Sequence, residues 1–312
     1  MTLAILCSGQ GNQNPEMFAL TGHCPEATHL FDSAATLLNH EDPRELVRSG
    51  SGGDLFENRT AQILCTLQAL AAVCTLQPSI PSRSIFAGYS VGEVAAWGAA
   101  GVFDQIDTLK LVADRAEQMS AASVPGDGLL FVRGLDYQAI SNLCEKLGGG
   151  IAIINPDDAF VVGGGEEFLT AITRAAMDAH ATRITRLPIE VASHTALLNR
   201  VSLKFRSTLD ELPKRFPPSG EAKLLSGVDG AKVYQLDRGL DKLAAQISHT
   251  VKWADNLQAC VENGASAFLE LGPGRALSEM AGASYKDIPS RSLEDFKTID
   301  GVNAWISKWA AR

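Results

Sequence analysis

The chain has 312 residues, is 46% hydrophobic and 20% charged, and carries a net charge of −9. That is enough apolar material for a large core, so wholesale disorder is excluded. Lys and Arg are scattered and form no basic footprint for nucleic acid or a membrane surface. No apolar run is read as reaching the ~18 residues of a membrane span. The opening Met1-Thr2-Leu3-Ala4-Ile5-Leu6 lacks the basic segment and cleavage site of a secretory signal. Cys7, Cys24, Cys65, Cys74, Cys144 and Cys260 form no C-x-x-C pair, so no zinc framework is expected. They read as small hydrophobes, which places the chain in a reducing, cytoplasmic compartment.

Leu3–Cys7 is a short apolar strand running into the glycine loop Ser8-Gly9-Gln10-Gly11-Asn12. Thr60–Leu76, rich in Ala, Leu and Cys, predicts a buried helix. Ser84–Ala87 is a second short strand, entering Gly88-Tyr89-Ser90-Val91-Gly92, and Glu93–Gly101 follows as a helix. In Asp107–Ala121, Leu109, Val112, Ala116 and Met119 recur at helical spacing. Strand, glycine loop and helix in repetition predict an α/β fold with a mainly parallel sheet.

From about Gly126 to Ile189 the pattern changes. Strands are predicted at Leu129–Val132, Ile151–Ile154, Phe160–Val162 and Arg183–Pro188, with helices at Asp136–Leu147 and Glu166–His180. The turn Asn155-Pro156-Asp157-Asp158 separates the middle two strands. This βαββαβ order is the split-βαβ, ferredoxin-like arrangement. It predicts a small subdomain over 125–190 inserted into a core formed by 1–124 and 191–312. The core resumes near Ser193, with a loop at Pro213–Gly220 and a helix over Leu243–Asn263 interrupted near His249-Thr250. The strand Ala267–Leu271 enters Gly272-Pro273-Gly274, and a helix follows.

Gly88–Gly92 matches G-x-S-x-G between a strand and a helix. Small neighbours let Ser90 sit on a sharp turn that exposes its hydroxyl and leaves the next N–H free for an oxyanion. A nucleophilic serine needs a base, and His23, His29, His40, His180, His194 and His249 are the candidates. His249 suits the late position of the base in a hydrolase but has no evident acid partner, and His194 follows the last strand of the insertion. Arg115 lies between Leu111 and Met119 on an apolar stripe. It reads as a buried ion pair, as a carboxylate receptor in a cleft, or as an edge side chain reaching for water.

In this setting the sequence resembles the malonyl-CoA:acyl-carrier-protein transacylases and related acyltransferase domains. Ser8–Gln13 resembles their GQGSQ signature and Gly88–Glu93 their GHSLGE elbow. Arg115 through Met119 matches R-x-x-x-M, and Val124–Asp136 the loop leading to G-L-D. Ser193–Leu198 resembles S-H-C-A-L-M. Gln246 with Val251-Lys252-Trp253 resembles Q-x-x-N-P-V-x-W, and Leu271–Gly274 resembles V-G-P-G. The motifs are colinear over almost the whole chain.

The resemblance implies a hydrolase-like core with a ferredoxin-like insertion. It implies Ser90 as nucleophile, His194 as general base oriented by a main-chain carbonyl at Gln246, and an oxyanion hole from the N–H groups of Gln10 and Val91. Arg115 would hold the free malonyl carboxylate, with Gln62 and Met119 lining the site. No resident cofactor or metal is implied; malonyl-CoA and a carrier-borne phosphopantetheine-type thiol are substrates, and an acyl carrier protein is the partner. Tyr89 for the usual His, Asn12 for Ser, Ile63 for Pro and His249-Thr250 for Asn-Pro depart from the pattern. Tyr89 and Trp97 look more like the epsilon subunit of malonate decarboxylase, which would make that complex's carrier subunit the acceptor and its subunits partners. The alternative is the fatty-acid-synthesis transacylase. Val191–His194 is similar to a polyketide variant associated with methylmalonyl. Readings from other classes are a serine hydrolase or thioesterase and a non-catalytic acyl-binding subunit.

Overall fold

The computed structural model describes residues 2–50 and 52–310. Two sheets organise it. The first runs β10-β9-β1-β2-β7, from β1 (Thr2–Cys7), β2 (Ile85–Gly88), β7 (Lys223–Leu224), β9 (Ala265–Glu270) and β10 (Ser290–Ser292), and every pairing is parallel. The central strand is covered on both faces. Leu3, Ile5 and Cys7 join one core cluster and Ala4 and Leu6 another. This explains why the strand reads as an unbroken apolar run rather than an alternation.

The second sheet runs β6-β3-β5-β4-β8, from β3 (Gly128–Arg133), β4 (Gly150–Asn155), β5 (Ala159–Gly164), β6 (Arg183–Arg186) and β8 (Val251–Lys252). Pairings among β3, β4, β5 and β6 are antiparallel, in the strand order of the split-βαβ arrangement. Alternation along β3 sets its two faces. Leu130 and Val132 pack with Ile140, Phe168 and Ile172 of helices Tyr137–Leu147 and Glu166–Asp178, while Leu129 turns toward the cluster that also contains Ala4 and Leu6. The second sheet therefore rests one face on the first.

The structure bears out one sequence expectation, amends another and adds elements that were not read. The interruption expected near His249-Thr250 separates two helices, Leu236–Ala245 and Trp253–Glu262; the first starts earlier than read, and the break also contains β8, which pairs parallel with β4. The second sheet thus takes a strand from far outside 125–190. The helix Asn58–Leu76, with the short turn after it, does meet the length and composition of a membrane span, but 78% of its apolar stretch is buried inside the protein. Its hydrophobicity is that of a core helix buried all round. The helices Thr28–Leu37 and Pro43–Ser49 were not read from the sequence.

Candidate active site

The parallel strands β1, β2 and β9 end on the same side, and the glycine loops that follow them meet there, at the carboxyl edge where open α/β sheets bind ligands. Ser90 sits between β2 and the helix Val91–Ala99 with φ 57° and ψ −121°, a strained conformation for a residue with a side chain. Close packing demands the flanking glycines. A Cβ on Gly88 would lie 2.1 Å from the carbonyl oxygen of Gly92, and one on Gly92 2.1 Å from that of Cys7.

Ser90 Oγ lies 2.8 Å from His194 Nε2, and His194 Nδ1 lies 2.5 Å from the main-chain oxygen of Gln246. A carbonyl can only accept, so Nδ1 carries the proton and Nε2 is left to accept from the serine hydroxyl. His194 is also backbone-strained, at φ 61°, and its amide donates to Ile247 O at 2.8 Å. Burial, then the nearby Arg115 charge, push its pKa down to about 3, against the opposing Gln246 hydrogen bond. The imidazole is therefore neutral, with its Nε2 lone pair turned to the serine hydroxyl. His249 is exposed and bonds Ala245 O, so the structure does not bring it to Ser90.

Arg115 is 1% exposed, on the helix Gln105–Ala122. Its Nη1 donates to Gln62 Oε1 at 2.6 Å and its Nη2 to Gln246 Oε1 at 3.3 Å. None of the ion pairs among the described residues involves it. That removes both the direct ion pair and the water-seeking side chain from the sequence alternatives. Burial holds its pKa down at about 10, with Glu93 opposing the shift. Gln62 Nε2 donates to Asn58 Oδ1 at 2.9 Å and approaches Met119 Sδ at 3.8 Å, so Gln62, Met119 and Arg115 do come together.

Ser90 and His194 line a cleft of about 470 Å³ together with Gln10, Tyr89 and apolar residues such as Phe131 and Met280. A larger cavity of about 1030 Å³ adjoins it, and the two share Gln10, Leu187, Pro188 and Ile189. The N–H of Val91 is in the first turn of its helix, where amides lack a helical acceptor. Gln10, in the loop after β1, lines the same cleft as Ser90. Among the described residues no cluster of three His, Cys, Asp or Glu side chains is placed to hold a metal ion.

Two buried carboxylates went unread in the sequence. Glu93 accepts from Gln246 Nε2 at 2.8 Å, and Glu270 accepts from Ser8 Oγ and from the amide of Ser278, each at 2.8 Å. Burial raises the first to about 8 and the second to about 7. The signal for Glu270 was a lone carboxylate inside the apolar run Ala267–Leu271.

A strained serine at a strand–helix elbow beside a neutral histidine fixed by a carbonyl is the arrangement that serine-based acyl transfer requires. The sequence pattern of the acyl transferase domain matches residues 5–301, and the chain belongs to that family. The malonyl CoA-acyl carrier protein transacylase of Haemophilus influenzae is 25% identical over 97% of this chain and 98% of its own length. That of Staphylococcus aureus is 24% identical over 96% and 98%. The crystal structure of an acyl-carrier-protein S-malonyltransferase from Burkholderia pseudomallei superposes with a TM-score of 0.89 at 25% identity, covering 97% of this chain and all of the other. A malonyl-transacylase solved with its type II PKS acyl-carrier protein gives 0.88 at 24% identity, with both chains fully covered.

Proposed function

We propose that this acyltransferase moves a malonyl group from malonyl-CoA, through an ester on Ser90, to the phosphopantetheine-type thiol of an acyl carrier protein. Ser90 Oγ attacks the thioester carbonyl as its proton passes to His194 Nε2. The N–H groups of Gln10 and Val91 donate to the oxygen that becomes negative. The carbon–sulfur bond breaks, and CoA leaves with the proton from His194. In the second half the carrier thiol gives its proton to His194 and attacks the ester, and the serine regains its proton. No resident cofactor is called on.

Arg115 selects the acyl group. A guanidinium has five N–H groups; two are committed to Gln62 and Gln246, which leaves three, of which two can take the malonyl carboxylate. The observation that carries the reading is this buried cation without an ion pair, one amide away from the carbonyl that holds His194. A hydrolase acting on neutral esters has no use for it. The malonyl and carrier names of the relatives, which match this chain end to end, support the same reading. For the carrier we propose the carrier subunit of malonate decarboxylase, in the cytoplasm. The support is Tyr89, which lines the cleft and meets Trp253 edge-on at 5.4 Å, together with Trp97, which stacks on Phe103.

Incubation with malonyl-CoA followed by intact-mass spectrometry tests the first half-reaction. The protein should gain one malonyl group, and Ser90→Ala none. An adduct on the variant, or none on the wild type, overturns the reading. Chasing the adduct with each purified carrier decides between the malonate decarboxylase and fatty-acid-synthesis acceptors.

A further inference from the structure

Gln246 does more than present a carbonyl to His194. Its Nε2 donates both to Ser90 O at 2.9 Å and to Glu93 Oε2 at 2.8 Å, and its Oε1 accepts from Arg115. An amide flipped end for end would set Nε2 against the guanidinium, donor against donor, so Arg115 alone fixes the orientation in which Oε1 faces it and Nε2 faces Glu93. Glu93 is 1% exposed in the first turn of the helix that Ser90 opens, where the helix dipole favours a negative group. Its place is built by a third element. A Cβ at Gly227 would lie 2.5 Å from Glu93 Oε2, so only glycine admits the carboxylate, and Gly227 O is itself pinned by the amide of Lys252 at 2.8 Å. The sites of Ser90, His194 and Arg115 thus converge on one amide whose far side is held by Glu93.

We propose that Glu93 is a positioning residue: through the side chain of Gln246 it holds the main-chain carbonyl that orients His194 against Ser90. Glu93 touches no reacting atom, and its effect is on the chemical step rather than on binding. The inference rests on Ser90 and His194 being the reacting pair, and it extends the role of Gln246 to the residue behind it.

The test follows acylation of Ser90 by malonyl-CoA and by p-nitrophenyl acetate, which has no carboxylate for Arg115. Glu93→Leu removes one of the two acceptors of Gln246 Nε2, leaving only Ser90 O, and should slow acylation by both donors on the order of 100-fold. KM for malonyl-CoA should stay near the wild-type value. Glu93→Gln keeps an acceptor of the same size and should return both rates to within about 5-fold of wild type. The His194 Nδ1 proton, identified in the ¹H NMR spectrum by its loss in His194→Ala, should move upfield in Glu93→Leu and return in Glu93→Gln. Gly227→Ala crowds the carboxylate without replacing it; it should shift the same proton and serves if Glu93→Leu does not fold. Wild-type rates in folded Glu93→Leu, an unmoved proton in Glu93→Leu or Gly227→Ala, or a loss confined to malonyl-CoA would each overturn the proposal. A wild type acylated by the ester and not by malonyl-CoA would instead sink the malonyl reading and leave this test standing.

Discussion

The carboxyl edge of the first sheet and the helix-covered face of the second solve opposite problems. At the first, Arg115, Glu93, His194, Gln62 and Gln246 are all buried and linked to one another by hydrogen bonds. At the second, the buried side chains are apolar, among them Ile140, Val162, Phe168 and Ile172, and the charged pairs Arg133–Asp157 and Arg186–Glu166 lie outside in solvent. Exposed pairs of that kind contribute about 0–1 kcal/mol each. Desolvated, hydrogen-bonded charge costs stability and holds geometry. Substitutions at the first region should therefore appear in rate, and at the second in stability.

The largest effect should come from His194→Ala, which removes the acceptor of the serine proton and should slow acylation by roughly 10²–10⁴-fold, with little change in the thermal midpoint. The pH profile sharpens the point. Burial lowers the His194 pKa from 6.5 to about 3, so the base stays neutral as pH falls through 6.5. Acylation should show no acid limb near 6.5; a limb there would mean a solvated base and would break the contrast between the regions. On the other side, Ile172→Ala in the helix-covered core should cost about 2–5 kcal/mol of unfolding free energy, measured by denaturant titration. Its acylation rate per folded molecule should be unchanged, and a rate loss beyond the folded fraction would show that the two regions are coupled.

The two regions also differed in how much of them could be read in advance. The second sheet was legible because short apolar runs, the Asn155–Asp158 turn between two of them and two amphipathic helices are all signals local in the sequence. The elbow at Ser90 was legible for a similar reason: its backbone demands Gly88 and Gly92. Strands β7, β8 and β10 were not, because two or three residues are too few to show a period and are held by their neighbours. Arg115 could not be resolved, since a stripe says which face a residue occupies and not whether solvent reaches it. His194 stood level with five other histidines until the family motifs singled it out, because its contact with Ser90 spans 104 residues. Glu93 stood in the motif without a role, for the residues that define it, Gln246 and Gly227, come from distant loops.

Arg115 gives the most direct test of the central claim, that the buried polarity at the sheet edge reads a carboxylate on the acyl group. Malonyl and acetyl loading of Ser90 should be measured at equal CoA thioester concentrations in wild type and in Arg115→Ala. Charge-assisted hydrogen bonds contribute about 1.5–3 kcal/mol each, so the malonyl-to-acetyl ratio should fall by roughly 10-fold or more in the variant. Acetyl loading should be retained, and Arg115→Lys should restore the ratio only in part because a point charge cannot reproduce the planar fork. A ratio unchanged from wild type would contradict the claim and leave Arg115 as a brace between Gln62 and Gln246.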